Sequence, residues 1–132
     1  GGSLHPISSE TIENKWHYIA QDGKTGFKSA VSEMANATEQ IILRNKLKSE
    51  EIKYLIPHQA NKRIIDATAE KINLDKNKVL MNIENYGNTT AATIPLLMYD
   101  YEKNFSKGDK LILAAYGAGL TWGAAYLTWA YN

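Results

Sequence analysis

The sequence predicts an α/β fold in which a mixed, mainly parallel sheet carries packed helices, in the order α-β-α-β-α-β-β. Three observations lead there. Apolar residues recur at spacings of three and four in three separate segments, the mark of helices with one buried face. Short apolar runs of strand length alternate with those segments, which favours parallel pairing with helical crossovers. The last two runs are separated only by a glycine-rich loop, so they form a final antiparallel pair.

Residues 1–25 carry little periodicity and are expected to form an extended arm, with residues 26–132 as the folded domain. Phe27, Ala30, Val31, Met34, Thr38, Ile41 and Ile42 give the first helix an apolar stripe reaching to about Leu47. Tyr54-Leu55-Ile56-Pro57 reads as a short buried strand closed by Pro57. Ala60, Ile64, Ile65, Thr68, Ala69 and Ile72 form the inner face of a second helix that ends near Asn73. Val79 to Ile83 is the second expected strand, and Tyr86 to Thr90 a turn in which Thr89 or Thr90 caps a third helix. That helix runs through Ala91, Ile94, Leu97, Met98 and Tyr101, with Pro95 in its first turns. Ser106-Lys107-Gly108-Asp109 is a turn, and strands are expected over Lys110–Tyr116 and Trp122–Tyr131.

At 132 residues the chain is long enough for a single domain with a real core. A hydrophobic fraction of 44% and a charged fraction of 22% suit a soluble protein, and no run has the length of a membrane span. A net charge of +1 argues against a generally basic nucleic-acid binder. No membrane or nucleic-acid partner is expected, and the cytoplasm is the expected location. The chain has no cysteine, so it supplies no disulfide, thiolate ligand or thiol nucleophile. His5, His17 and His58 are too dispersed in sequence to suggest a zinc site, and no metal is expected.

Ligands of such sheets gather beyond the carboxyl ends of the strands. Three polar or glycine-rich turns fall there: Pro57-His58-Gln59-Ala60-Asn61, Gly87-Asn88-Thr89-Thr90 and Gly117-Ala118-Gly119. Taken singly, a histidine after a strand, an asparagine beside glycine and a glycine pair are ordinary loop or capping features. Their convergence is what makes His58, Asn88 and the amides of the Gly117–Gly119 loop candidates for chemistry.

Leu55-Ile56-Pro57-His58-Gln59-Ala60-Asn61-Lys62-Arg63-Ile64-Ile65 resembles the histidine motif of the ketoacyl-carrier-protein synthase III family. Asn85-Tyr86-Gly87-Asn88-Thr89-Thr90-Ala91-Ala92-Thr93-Ile94-Pro95 is similar to its asparagine motif, and Tyr116-Gly117-Ala118-Gly119-Leu120-Thr121-Trp122-Gly123 to its carboxy-terminal glycine loop. Gly1-Gly2-Ser3 and Gly26-Phe27-Lys28 also find counterparts. One departure is Ala118, where many relatives have glycine; a backbone amide survives that change.

The resemblance implies the carboxy-terminal half of a thiolase-like fold, and a Cys-His-Asn triad whose cysteine belongs to the amino-terminal half. It also implies a homodimer for the full-length enzyme. By motif match the histidine falls on His58 and the asparagine on Asn88. The implied reaction, which begins fatty-acid biosynthesis, is a decarboxylating Claisen condensation of an acyl-coenzyme A starter with malonyl on acyl carrier protein. His58 and Asn88 would donate hydrogen bonds to the malonyl thioester carbonyl, and the Gly117, Ala118 and Gly119 amides would hold the tetrahedral oxyanion. No cofactor is implied; coenzyme A and phosphopantetheine thioesters are substrates. An acidic carrier protein needs a basic docking surface, for which Arg63 and Lys28 stand by motif match and Lys62 and Lys71 by neighbourhood. Tyr99, Tyr101, Trp122, Tyr126 and Trp129 are expected in the core or at a dimer surface rather than in an acyl pocket. Other readings stay open at this level: a starter-unit or secondary-metabolite synthase, a non-catalytic carrier- or coenzyme-binding module, or a structural domain with inherited motifs.

Overall fold

The computed structural model describes residues 2–19 and 22–132; Gly1, Ala20 and Gln21, all in the predicted arm, lie outside the described residues. The arm is not extended throughout. Ser9–Glu13 forms a one-turn helix, α1. The Ser8 hydroxyl accepts the Thr11 N–H at 3.2 Å, and Thr11 Oγ1 accepts the Ser8 N–H at 2.7 Å. This is a capping box with threonine where glutamate or glutamine is usual, so the pattern is easily missed. Leu4, Ile7 and Ile19 of the arm remain exposed.

Helix α2 spans Gly23–Arg44, starting four residues before the first apolar position at Phe27. Asp22 causes this: its Oδ1 accepts the N–H groups of Lys24 and Thr25, both at 3.1 Å. The predicted stripe faces inward, with Ala30, Met34 and Thr38 buried. Strand β1 (Ile52–Pro57) is followed by α3 (Lys62–Lys71), capped by Asn61, whose Oδ1 accepts the Arg63 N–H at 2.9 Å. Phe27 meets Arg63 and Ser32 meets Lys71, so α2 and α3 lie side by side and run in the same direction.

Strands β2 (Lys110–Gly117) and β3 (Thr121–Thr128) complete a three-stranded sheet of order β1-β2-β3. β1 and β2 are parallel, with Pro57 opposite Ala114, and β2 and β3 antiparallel, with Gly117 opposite Thr121. β3 ends three residues short of the expected Tyr131, and Trp129 packs edge-on against Phe105 at 5.0 Å between ring centres.

The expected strand at Val79–Ile83 does not form. Only Val79 bridges to Leu55, and the Leu80 N–H reaches the Leu55 carbonyl at 3.0 Å. Beyond that point side chains take the backbone groups a ladder would use. The Asn82 N–H donates to Gln59 Oε1 at 3.1 Å, and the Met81 carbonyl accepts from the Tyr101 hydroxyl at 3.1 Å. Ile83–Tyr86 then coils into a short helix, α4. Helix α5 (Thr93–Tyr101) follows a 3₁₀ turn at Thr90–Ala92, and neither Thr89 nor Thr90 caps it through its side chain as expected. Pro95 is its third residue, where no intrahelical N–H bond is forfeited.

The sheet is covered on both faces. Met34, Ile52, Leu55, Leu74, Ile112 and Ala114 form the core under α2 and α3. Ile56, Leu80, Leu97, Phe105 and Leu111 form the core under α5. Each large side chain buried here contributes roughly 1.5–3 kcal/mol of transfer free energy. Among the described residues no helix is long and apolar enough to cross a membrane.

Candidate functional site

The site lies where β1 and β2 end. His58 directly follows β1, and its N–H donates to the Ala114 carbonyl at 2.8 Å, so the backbone that carries the ring is an extension of the sheet. The ring is half-buried, and this desolvation pushes its pKa below the usual imidazole value, which favours the neutral form. Nδ1 points at Thr93, whose Oγ1 is 2.6 Å away. Thr93 is the first residue of α5 and only 2% exposed, so the helix itself fixes the ring's inner edge.

Asn88 is linked to His58 through Thr90 and Thr93. Its Oδ1 accepts the Thr90 N–H at 2.9 Å, and its amide nitrogen, a donor, makes no hydrogen bond among the described residues; the residue is exposed. The Thr90 carbonyl lies 2.9 Å from Thr93 Oγ1, closing a chain of contacts from Asn88 through Thr90 and Thr93 to His58. Two special backbone conformations shape the loop: Gly87 at φ +66° and Thr90 at φ +55°. The first suits glycine, whereas the second is strained for a β-branched residue.

Behind the loop lies a polar brace. Gln59, 1% exposed, donates from Nε2 to the Pro57 carbonyl at 2.8 Å while its Oε1 holds the Asn82 N–H. Asn82 Nδ2 donates to Asp100 at 2.8 Å, and the Tyr86 hydroxyl donates to the other oxygen of Asp100 at 3.1 Å. That bond raises the Tyr86 pKa. The brace ties the end of β1, α4 and α5 together on either side of Asn88. Thr93, Gln59, Asn82 and Asp100 are the residues that reading the sequence did not single out. For Gln59 and Thr93 the available signal was position: each sits inside a motif, beside or five residues beyond a candidate side chain.

Gly117 is the last residue of β2, three residues past the Ala114 that anchors His58, and Ala118, Gly119 and Leu120 form the β2–β3 loop. The Ala118 and Gly119 amides make no backbone hydrogen bond among the described residues. Gly119, at φ +146°, could not carry a side chain without strain, and a Cβ there would press to 3.1 Å on the Thr121 nitrogen. Ala118 is exposed, and Tyr116 and Trp122 stack below the loop with centres 6.4 Å apart.

The four candidate cations divide. The Arg63 guanidinium lies 5.3 Å over the Phe27 ring, beside Lys28 in sequence, at the end of α2 and α3 nearest His58. Lys71 donates to Ser32 at 2.9 Å, eight residues along α3 and so about 12 Å further away. Lys62 turns aside, pairing with Asp66 at 3.6 Å and approaching the Met81 sulfur. Of the aromatic candidates, Tyr101 and Trp129 pack into the core under α5, while Tyr99 and Trp122 are exposed.

Comparison with known proteins bears on the fold and the family. The family model described as 3-oxoacyl-[acyl-carrier-protein] synthase III C terminal matches residues 42–129. A beta-ketoacyl-[acyl-carrier-protein] synthase III from Azobacteroides pseudotrichonymphae is 51% identical over all 132 residues, which make up 40% of that relative. A synthase III structure from Thermus thermophilus superimposes with a TM-score of 0.81 at 42% identity, covering 86% of this chain and 36% of that one. The corresponding structure from Aquifex aeolicus gives 0.82 at 44% identity, covering 85% and 37%. The chain therefore spans about 40% of the length of the curated relatives it matches. With this fold, these motifs in order and this match, the chain belongs to the 3-oxoacyl-[acyl-carrier-protein] synthase III C-terminal family and has the thiolase-like fold of its relatives.

Proposed function

We propose that this chain supplies the enolate-stabilising part of a decarboxylating condensing enzyme, and that an amino-terminal partner segment supplies the cysteine. In that reaction the cysteine thiolate takes an acyl group from coenzyme A. Malonyl on acyl carrier protein then loses carbon dioxide, and its α-carbon attacks the acyl-cysteine thioester. The difficult step is placing negative charge on the malonyl thioester oxygen at neutral pH. His58 Nε2–H and Asn88 Nδ2–H serve as two neutral donors aimed at that oxygen, which is the economical way to stabilise charge as it develops. The tetrahedral oxygen of the second step falls to the amides around Ala118 together with the amide of the cysteine.

The observation that carries this reading is the chain of contacts from Asn88 through Thr90 and Thr93 to His58. It occupies the oxygen of Asn88 and the inner nitrogen of His58, which leaves Asn88 Nδ2 and His58 Nε2 without a partner among the described residues. The apolar trough of about 310 Å³ beside Ile94, floored by Leu113, Ala115, Gly123 and Ala125, supports a partner segment packed against α5. Arg63 and Lys28 form the docking point for an acidic carrier protein, with Lys71 at its margin and Lys62 outside it. A cytoplasmic homodimer without metal or redox cofactor completes the reading.

The test is reconstitution. The chain alone should neither be acylated by acetyl-coenzyme A nor condense it with malonyl on carrier protein. Mixing it with the amino-terminal segment of the same reading frame should restore both activities. Asn88→Ala in the mixture should lower malonyl decarboxylation about a hundredfold while sparing acylation. Condensing activity in the unmixed chain, or full decarboxylation by Asn88→Ala, would overturn the proposal.

A further inference from the structure

The Thr93 hydroxyl has one proton and two acceptors within reach. Oγ1 is 2.6 Å from His58 Nδ1 and 2.9 Å from the Thr90 carbonyl. At 2% exposure it has little access to water, and its position at the start of α5 prevents it from moving away. The His58 backbone is fixed as well, its main-chain N–H donating to the Ala114 carbonyl. The pair therefore has two satisfied arrangements that differ only in a hydroxyl rotation. In one, Nδ1–H donates to Oγ1 and the hydroxyl donates to Thr90, which leaves Nε2 a bare acceptor. In the other, the hydroxyl donates to Nδ1 and the ring proton sits on Nε2, facing the site as a donor. The Thr90 carbonyl loses its partner in the second arrangement, but Thr90 is exposed and water replaces the lost bond.

We infer that Thr93 is the positioning residue that sets which nitrogen of His58 carries the proton, letting the ring become a donor at Nε2 without moving. This rests on the donor role proposed above for His58. A residue able only to donate or only to accept would fix one tautomer. A hydroxyl serves both, so the approach of a carbonyl oxygen at Nε2 is met by rotation about one C–O bond. Because burial disfavours the imidazolium, the choice between neutral tautomers is the relevant one at neutral pH.

The experiment compares Thr93→Val, which keeps the shape and removes the hydroxyl, with Thr93→Ser, which keeps the hydroxyl. Both are made in the reconstituted protein labelled with ¹⁵N-histidine, and His58→Gln assigns the ring signals. Long-range ¹H–¹⁵N spectra read the tautomer directly. The parent and Thr93→Ser should show a population-weighted mixture, whereas Thr93→Val should collapse to the Nε2–H form, because a methyl group cannot accept from Nδ1–H. Because Thr93→Val keeps the donor tautomer and loses only the hydrogen bond that orients the ring, any fall in condensation should stay within about tenfold in kcat with KM little changed, and should recover in Thr93→Ser. Should the valine variant not fold, Thr93→Ala provides the same comparison. Identical tautomer populations with and without the hydroxyl would overturn the inference, whatever happens to the rate. Unaltered decarboxylation in His58→Ala, with the tautomer shift still seen in Thr93→Val, would leave the Thr93 inference standing and refute the donor role of His58.

Discussion

Replacing Gln59 with leucine should be among the most damaging single changes outside the apolar core. The side chain is 1% exposed and makes two hydrogen bonds, donating to the Pro57 carbonyl at 2.8 Å and accepting from the Asn82 N–H at 3.1 Å. Leucine matches its volume and offers neither. The Asn82 N–H is then a buried donor with no partner, and Pro57 loses one acceptor contact. An unsatisfied buried donor costs about 1–3 kcal/mol, and an under-satisfied carbonyl, with two lone pairs, costs less, giving about 2–4 kcal/mol together. With a urea slope of about 2 kcal/mol per molar, the unfolding midpoint should drop by about 1–2 M. Unfolding of the 132-residue chain, followed by circular dichroism at two protein concentrations, separates this change from any effect on association. Hydrogen exchange at the Asn82 amide gives a local reading, where protection should fall roughly a hundredfold. A midpoint within 0.3 M of the parent (about 0.6 kcal/mol on that slope) with unchanged Asn82 protection would show that the brace contributes nothing.

Two further outcomes are expected. The acid limb of the decarboxylation rate should lie below the ordinary imidazole value of about 6.5, because burial lowers the His58 pKa and the active form is neutral. The same shift has a stability consequence of definite sign. As pH falls through the ordinary value the unfolded chain takes up the proton first, so stability drops there and levels off only below the lowered folded pKa. A histidine-dependent limb at or above the ordinary value in a pH–rate profile would contradict the burial argument. Arg63→Glu and Lys28→Glu should each raise KM for malonyl on carrier protein and leave turnover of a small malonyl thioester nearly unchanged. The difference should shrink as salt is added, since exposed charges are screened over about 8–10 Å, and equal losses on both substrates would remove Arg63 and Lys28 from docking.

Where local pattern and tertiary structure agree, the sequence was legible. The stripe from Ala30 to Ile42 is one face of α2, Tyr54–Pro57 lies in β1, and the two runs around Gly117-Ala118-Gly119 pair as β2 and β3. Val79 to Ile83 was not, and the reason is physical. A five-residue run rich in apolar residues has strand propensity, yet its backbone groups were claimed by Gln59 and Tyr101, 20 or more residues away. No window-based reading sees such partners. The capping of α1 and the early start of α2 were encoded locally, in Ser8 with Thr11 and in Asp22 with Thr25, but by capping chemistry that apolar periodicity ignores. His58 and Asn88 were singled out as candidates by motif; Thr93, whose contacts lie between them, offered only its position in the second motif until α5 brought it beside the imidazole.

That connection also explains the strain at Thr90. A β-branched residue at φ +55° costs of order 1–3 kcal/mol and persists only where its surroundings enforce it. Three short-range contacts do so: Thr90 N–H to Asn88 Oδ1 at 2.9 Å, Thr90 Oγ1–H to the Thr89 carbonyl at 2.7 Å, and the Thr90 carbonyl beside Thr93 Oγ1 at 2.9 Å. At about 0.5–1.5 kcal/mol each they offset the strain without large surplus. The turn therefore depends on these contacts, with water taking the Thr90 carbonyl when the Thr93 hydroxyl turns to His58, and two of the three end on Asn88 and on the partner of His58. A geometry held on such a margin couples Asn88 to His58: the asparagine cannot swing without disturbing Thr90 and, through it, the Thr93 that contacts the imidazole. For chemistry that needs both hydrogen bonds on one oxygen, that coupling is the useful property, and a relaxed loop with glycine at Thr90 would lack it.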